Sequence, residues 1–422
     1  MNRLPSWAHI NLWENEILLE PQDVEVGHFV CRLDVPWIET PFPLEGLMVE
    51  DGQSRQWLRE NCRWAVVDLA RSRNQNRPLR AMSRGRDRNH PDHPFNLLRR
   101  SPVNRETMQA AIGGYQRLDQ TTRRLIGAIA VHDHIEVDEA REAVVELSGR
   151  LERNAAAMVW LTRIKEKDDY TAQHCLNVAI LAMGVAHALE WPVEHVENAG
   201  LAGLLHDLGK LEIDRNILNK PGRLTEEEFE QVKRHTEYGY RMLKGDSNLP
   251  EEVCLAVLQH HERPDGRGYL SGLKHREISR LALLISLVDA YDAITSHRVY
   301  DPARSHHEAL GILWRERGKQ FDHDLVEAFI QFIGWVAPGN LVRLSSGQIA
   351  VVVEARFGQR LRPVVRKVIQ EDGACRLGEQ LDLAELAGHA DGTPSLRIAE
   401  VLPDGHNGID MRELAHEIVE AS

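Results

Sequence analysis

Apolar and polar positions change their spacing along the chain and mark out four zones. From residue 17 to about 70, short apolar runs broken by turn residues predict strands around one short helix. Val24-Glu25-Val26-Gly27-His28-Phe29-Val30 is partly alternating and β-branched and reads as a strand. Trp64-Ala65-Val66-Val67 reads as another, and 53–62 as the helix, while Pro36, Pro41 and Pro43 break up what lies between. Residues 71–105 carry little apolar material. From 106 to about 335 the spacing is helical nearly throughout. Asp138 is placed to cap a helix through Leu147, Leu151 and Met158, and Pro192 stands near the start of another. Thr225 and Glu228 have the spacing of a capping box ahead of Phe229 and Val232. The stretch 278–294 has a strong apolar face. From Pro338 onward the runs 340–344, 348–354 and 362–369 read as strands, with Gly347, Gly358 and Gly373 for turns.

This pattern predicts a multidomain chain. A small α+β N-terminal domain (1–70) is followed by a linker (71–105) and connecting helices (106–150). An all-α helical bundle (151–335) and a small β-rich C-terminal module (336–422) complete it. A length of 422 residues fits two to four domains. The net charge of −13 argues against general nucleic-acid binding, which needs a basic footprint. Residues 71–105 are the exception, with ten Arg against Asp87 and Asp92, and four Pro. Such a segment cannot bury enough surface to offset its ordering entropy, so it reads as a disordered linker. A nucleic-acid or nucleotide-binding arm is the alternative. A chain beginning near Asn104 is then expected to fold. The longest apolar run, 281–288, ends at Asp289 and falls far short of the ~18 residues of a membrane span. Residues 1–20 lack a basic-then-apolar signal pattern. Cys31, Cys62, Cys175, Cys254 and Cys375 are an odd, scattered set without a CxxC, which reads as reduced thiols and a cytoplasmic location.

The histidines decide the chemistry. His206-Asp207 sits at the end of an apolar helix, in Leu204-Leu205-His206-Asp207-Leu208-Gly209-Lys210. A buried carboxylate beside an imidazole is costly unless a metal or other partner compensates. Nitrogen and oxygen donors without thiolates favour Fe, Mn or Zn at an open site and disfavour a structural zinc. Lys210, three and four residues on, would share their face on a helix, where its ammonium can meet a phosphate. His174, His235, the doublet His260-His261 and Asp289, with Asp292 one turn later, fall on successive predicted helices. Taken singly each has an ordinary reading, as His187, His195, His275 and His297 do. Together the seven groups exceed the three or four protein ligands of a one-zinc site. They fit two or three metals sharing a bridging carboxylate, the arrangement used for phosphoester hydrolysis.

The 204–210 stretch, followed by Ile217-Leu218-Asn219-Lys220-Pro221-Gly222-Arg223-Leu224, resembles the HD-GYP subgroup of the HD phosphohydrolase superfamily. So does His260-His261-Glu262-Arg263-Pro264-Asp265-Gly266-Arg267-Gly268-Tyr269-Leu270. So does Asp289-Ala290-Tyr291-Asp292-Ala293-Ile294-Thr295-Ser296-His297-Arg298-Val299-Tyr300. The resemblance spans roughly residues 150–335. The zone with Arg32-Leu33-Asp34-Val35-Pro36-Trp37 and Thr40-Pro41-Phe42 resembles an uncharacterised domain often found ahead of HD-GYP domains.

The resemblance implies an all-α bundle and a bacterial cyclic di-GMP phosphodiesterase with a non-haem iron centre, manganese being the other candidate. It implies His174, His206, Asp207, His235, His260, His261 and Asp289 as ligands, with Asp207 bridging and, with Lys210, catalytic. Lys210 and Arg298 would meet substrate phosphates, and Tyr170 and Tyr269 would lie at the substrate. Linear pGpG would be the product, with slower conversion to GMP. Expected partners are the cyclic dinucleotide, diguanylate cyclase (GGDEF) proteins through the 265–270 loop, and a second copy in a homodimer.

Three departures stand out. Leu270 replaces a Pro and so loses a fixed φ. Asp301 stands where a Lys often follows. Tyr170 stands where three-metal members place a Glu, and a phenol of pKa about 10 is a poor substitute. Asp168, six residues before His174, faces partly away on a helix, so two metals are expected. Hydrolysis of another cyclic dinucleotide is an alternative, as is a regulatory module whose output is protein contact.

Overall fold

The computed structural model describes residues 16–19, 21–33, 40–42, 47–62, 64–69, 71–74, 96–100, 102–132, 137–164, 170–220, 222–244, 248–296, 304–355, 362–371, 374–387 and 396–420. Two units divide the chain, Met1–His93 and Pro94–Ser422.

In the first unit, β1 (Glu16–Leu19), β2 (Phe29–Leu33), β3 (Leu47–Met48) and β4 (Ala65–Asp68) form an antiparallel sheet in the order β1-β4-β2-β3. Helix α1 (Gly52–Asn61) starts where the Asp51 carboxylate accepts the Ser54 amide at 2.8 Å. Leu58 on α1 packs with Ile17, Leu19, Val30 and Val67 from the sheet. The strand expected over residues 24–30 begins only at Phe29. Val26 and Gly27 form a turn instead, with Gly27 at φ +92°.

The second unit begins with α2 (Leu97–Arg100), α3 (Arg105–His132) and α4 (Val137–Leu161). Leu97, Leu98 and Val103 are buried in the main core, so the expected linker ends before α2. Residues 75–95 of that linker lie outside the described residues. Asp138 is inside the first turn of α4 rather than its cap. The expected boundary at residue 150 also falls within this helix. Next come α5 (Tyr170–Ala188), α6 (Val193–Leu205), α7 (Arg215–Leu218), α8 (Glu226–Lys233), α9 (His235–Leu243), α10 (Glu251–Gln259), α11 (Arg280–Thr295), α12 (His306–Glu316) and α13 (His323–Ile333). The Thr225/Glu228 capping box opens α8 as its spacing predicts.

Helices α5 and α11 are apolar on nearly every side, which places them at the centre of the bundle. Around them the residues of α6 and α10 complete one continuous core. A Cβ at Gly203 would lie 2.6 Å from the Ala179 backbone, so only glycine lets α6 lie this close to α5.

The C-terminal strands β5 (Leu341–Leu344), β6 (Ile349–Glu354), β7 (Val364–Glu371), β8 (Ala374–Asp382) and β9 (Ile398–Val401) form an antiparallel sheet, order β8-β7-β6-β5-β9. Side chains alternate across β6. Val351 and Val353 enter the helical core, while Ala350 and Val352 join Val342, Leu344 and Val365 on the other face. An amphipathic helix not anticipated from the sequence, α14 (Met411–Glu420), covers edge strand β8. Its Glu413 and Glu417 accept the Cys375 and Leu377 amides, satisfying donors that an edge strand leaves open. No helix among the described residues is long and apolar enough to cross a membrane.

Candidate metal centre

Helix ends build the site. His206 is the C-cap of α6, His260 the C-cap of α10, and His235 the first residue of α9, directly after α8. The last carbonyls of a helix lack intrahelical partners. Each of these histidines supplies one. Nδ1 of His206 lies 2.8 Å from the Gly203 oxygen, that of His235 2.7 Å from Val232, and that of His260 2.8 Å from Val257. A carbonyl only accepts, so each Nδ1 carries the proton and each Nε2 presents a lone pair to the interior. All three rings are buried, and burial holds His235 and His260 below the ordinary histidine pKa.

Asp207 follows α6 and opens a short 3-10 turn, Leu208–Glu212. Lys210 was expected on a shared helix face. It reaches Asp207 instead because the chain tightens into this turn, and its Nζ lies 2.5 Å from Oδ2. Gly209 makes the turn possible. A Cβ there would overlap the His235 carbonyl oxygen and the Gly239 amide. Burial opposes ionisation of Asp207, but the Lys210 charge outweighs it and holds the carboxyl well below its usual range.

His174, on the second turn of α5, points its two nitrogens at two acids of α11. Nδ1 lies 2.8 Å from Asp292 Oδ2 and Nε2 3.1 Å from Asp289 Oδ1. Burial opposes protonation of His174, but the Asp289 and Asp292 hydrogen bonds lift it to about 9. In turn His174 and its neighbours keep Asp289 ionised against the cost of burial.

These groups gather into two adjoining clusters, His174/His206/Asp207 and His235/His260/His261, each with donor atoms mutually within 4.8 Å. Asp207 joins them. Its Oδ2 lies 3.3 Å from His206 Nε2 and 3.8 Å from His174 Nε2, while Oδ1 lies 3.5 Å from His235 Nε2 and 4.0 Å from His260 Nε2. The donor set fits cations. His235 and His260 bring Nε2 lone pairs to 3.3 Å of each other, and the buried Nε2 of His206 has no hydrogen-bond partner among the described residues.

Above the second cluster, Tyr269 stacks on His261 with ring centroids 4.7 Å apart. Phe229 and Lys233 of α8 flank Tyr269. Glu262, which the sequence reading passed over, is buried and accepts the Ser271 amide at 2.6 Å and the Leu273 amide at 2.9 Å, pinning this loop.

Family comparison agrees with this constellation. Residues 146–325 match the HD domain family, and residues 17–140 match a domain of unknown function, DUF3391. Residues 146–325 form an HD domain. A cyclic di-GMP phosphodiesterase of Pseudomonas aeruginosa is 41% identical over 232 residues, 55% of this chain and 56% of that protein. A cyclic di-GMP phosphodiesterase response regulator of Xanthomonas campestris is 37% identical over 182 residues, 43% of this chain and 48% of that protein. A 3'3'-cGAMP-specific phosphodiesterase of Vibrio cholerae is 36% identical over 163 residues, 38% of this chain and 37% of that protein. The chain thus spans about half the length of the curated relatives it matches.

The HD domain brings all seven expected ligand positions to one centre, with Lys210 and Tyr269 beside them. Tyr170 is the first residue of α5. Arg298, Asp301 and Asp168 lie outside the described residues. Asp292 was noted only for its spacing from Asp289. The structure makes it the partner of His174, and a second acid in the last turn of an apolar helix is the signal the sequence offers.

Proposed function

We propose that the HD domain is a metal-dependent phosphodiesterase that opens cyclic di-GMP to linear pGpG. The observation that carries this reading is Asp207, which directs one carboxylate oxygen to each histidine cluster. That is the donor arrangement two cations need to share one carboxylate. The ligand set is His174, His206, Asp207, His235, His260, His261 and Asp289. Two ions of iron, or of manganese in its place, suit these imidazoles and carboxylates. Bound metal would make a water nucleophilic near neutral pH and offset charge on the phosphoryl oxygens.

The chain's own groups do the remainder. Lys210, ion-paired with Asp207 in the free protein, turns its ammonium to the substrate phosphate. Asp292 holds the proton on Nδ1 of His174 and so keeps Nε2 facing the centre. Tyr269, stacked on His261, borders the substrate side. Water adds across one phosphodiester bond, leaving a 5′-phosphate and a free 3′-hydroxyl. A second cleavage to GMP is slower, because pGpG no longer has the ring that holds both phosphates near the centre. Leu270, exposed at 40% on the 265–270 loop, supports docking of a diguanylate cyclase domain there.

Relatives specific for 3'3'-cGAMP favour a second reading in which one base is adenine. Oxygen-free protein loaded with Fe(II) or Mn(II) is to be incubated with each cyclic dinucleotide and the products separated. Linear product is expected, and Asp207→Ala should abolish it. Failure of fully loaded protein to cleave either nucleotide overturns the assignment.

A further inference from the structure

The hydrogen bonds behind His174 run out of the HD domain. Asp292 receives His174 on Oδ2, and its Oδ1 lies 3.1 Å from Asn177 Nδ2. Asn177 is fully buried on α5, and the same Nδ2 donates to the Thr162 carbonyl at 3.1 Å. Its Oδ1 accepts the Tyr115 hydroxyl at 3.2 Å. Every donor in this series has an acceptor, so the directions are set. The Tyr115 O–H donates to Asn177, Asn177 donates to Asp292, and Asp292 accepts from His174.

Tyr115 lies on α3, inside the 17–140 stretch that matches DUF3391 and outside the 146–325 match. Helix α3 lies against α4, α5 and α14. The partner network of a ligand histidine is therefore completed by a residue that precedes the HD domain.

We infer that Tyr115 and Asn177 are positioning residues for His174, acting through Asp292. The inference rests on the reading of His174 as a metal ligand. A carboxylate free to rotate would swing the imidazole with it. Asn177 fixes the far oxygen of Asp292, and Tyr115 together with the Thr162 carbonyl fixes which way the Asn177 amide faces. Groups that orient a ligand histidine from behind govern metal affinity without touching the metal.

The test is metal affinity, read by chelator competition with Mn(II) on the full chain, with thermal melts of the metal-free variants as a control on folding. Asn177→Ala should weaken Mn(II) binding by about 10- to 100-fold, and Tyr115→Phe, which deletes one hydroxyl, by about tenfold or less. The double variant decides between a series and two separate structural effects. In a series, Tyr115→Phe adds nothing once Asn177 is Ala, whereas independent effects multiply. Unchanged affinity in Tyr115→Phe, or multiplying losses in the double variant, overturns the inference. Asp207→Ala, run alongside, separates the two failures. If it loses Mn(II) while Tyr115→Phe does not, the metal centre stands and the positioning role falls. If Asp207→Ala also retains Mn(II) at full affinity, both fall.

Discussion

Nε2 of His235 lies 3.3 Å from Nε2 of His260, and each ring keeps its proton on Nδ1, where it donates to a helix-end carbonyl. Two lone pairs therefore face each other in a buried site. That arrangement is unfavourable by itself and favourable around a cation, so a bound cation would relieve the repulsion between the two lone pairs.

Metal should therefore stabilise the fold as well as activate it. At free metal a hundred times its dissociation constant, each site adds about 2.7 kcal/mol. Thermal melts with Mn(II) and with chelator should differ accordingly in the wild type. In Asp207→Ala the difference should shrink sharply.

Acidity should oppose loading. The metal-free His174 has its pKa raised to about 9 by Asp289 and Asp292, so below that pH a metal must displace its proton. Mn(II) affinity should rise between pH 6 and 9 and level off above. In the metal-free protein the sign reverses for stability. The raised pKa stabilises the fold fully below pH 6.5, and this contribution disappears as pH rises through about 9. Denaturant melts of chelated wild type against His174→Gln, at pH 6 and pH 9.5, measure that loss.

Gly209→Ala should be severe for a surface-sized change. The new methyl would collide with backbone atoms of His235 and Gly239, which cannot rotate away as a side chain would. The turn holding Asp207 and the start of α9 must separate. A loss of more than about 3 kcal/mol is expected, with loss of bound metal measured on the same sample.

Where the chain is shortened should matter. A protein beginning at Pro94 keeps α2 and should melt like the parent second unit. One beginning at Asn104 loses Leu97, Leu98 and Val103 from the core. At about 1.5–3 kcal/mol per fully buried side chain, it should be markedly less stable. Equal melting of the two would refute this role for α2.

Glu262→Ala should release the loop that carries Tyr269 without emptying the metal site. The part-buried Ser271 and Leu273 amides lose their acceptor, at about 0.5–1.5 kcal/mol for each hydrogen bond. Faster amide exchange over residues 265–274, with metal content held, is the expected signature.

Local signals carried much of the molecule. Helical spacing, the Thr225/Glu228 capping box and the strand runs after Pro338 depend on neighbours within a turn or two, so they are legible in one dimension. The donor types were legible for the same reason, since a His-Asp pair or an acid inside an apolar helix stands out from its own surroundings. Tertiary structure alone decided how the donors divide. Asp207 faces two clusters only because Gly203 admits α6 against α5 and Gly209 admits the following turn against α9. The line from His174 through Asp292 and Asn177 to Tyr115 joins residues 118, 115 and 62 positions apart. No periodicity marks such pairs, because a hydrogen bond across that much chain depends on where packed helices bring their faces together.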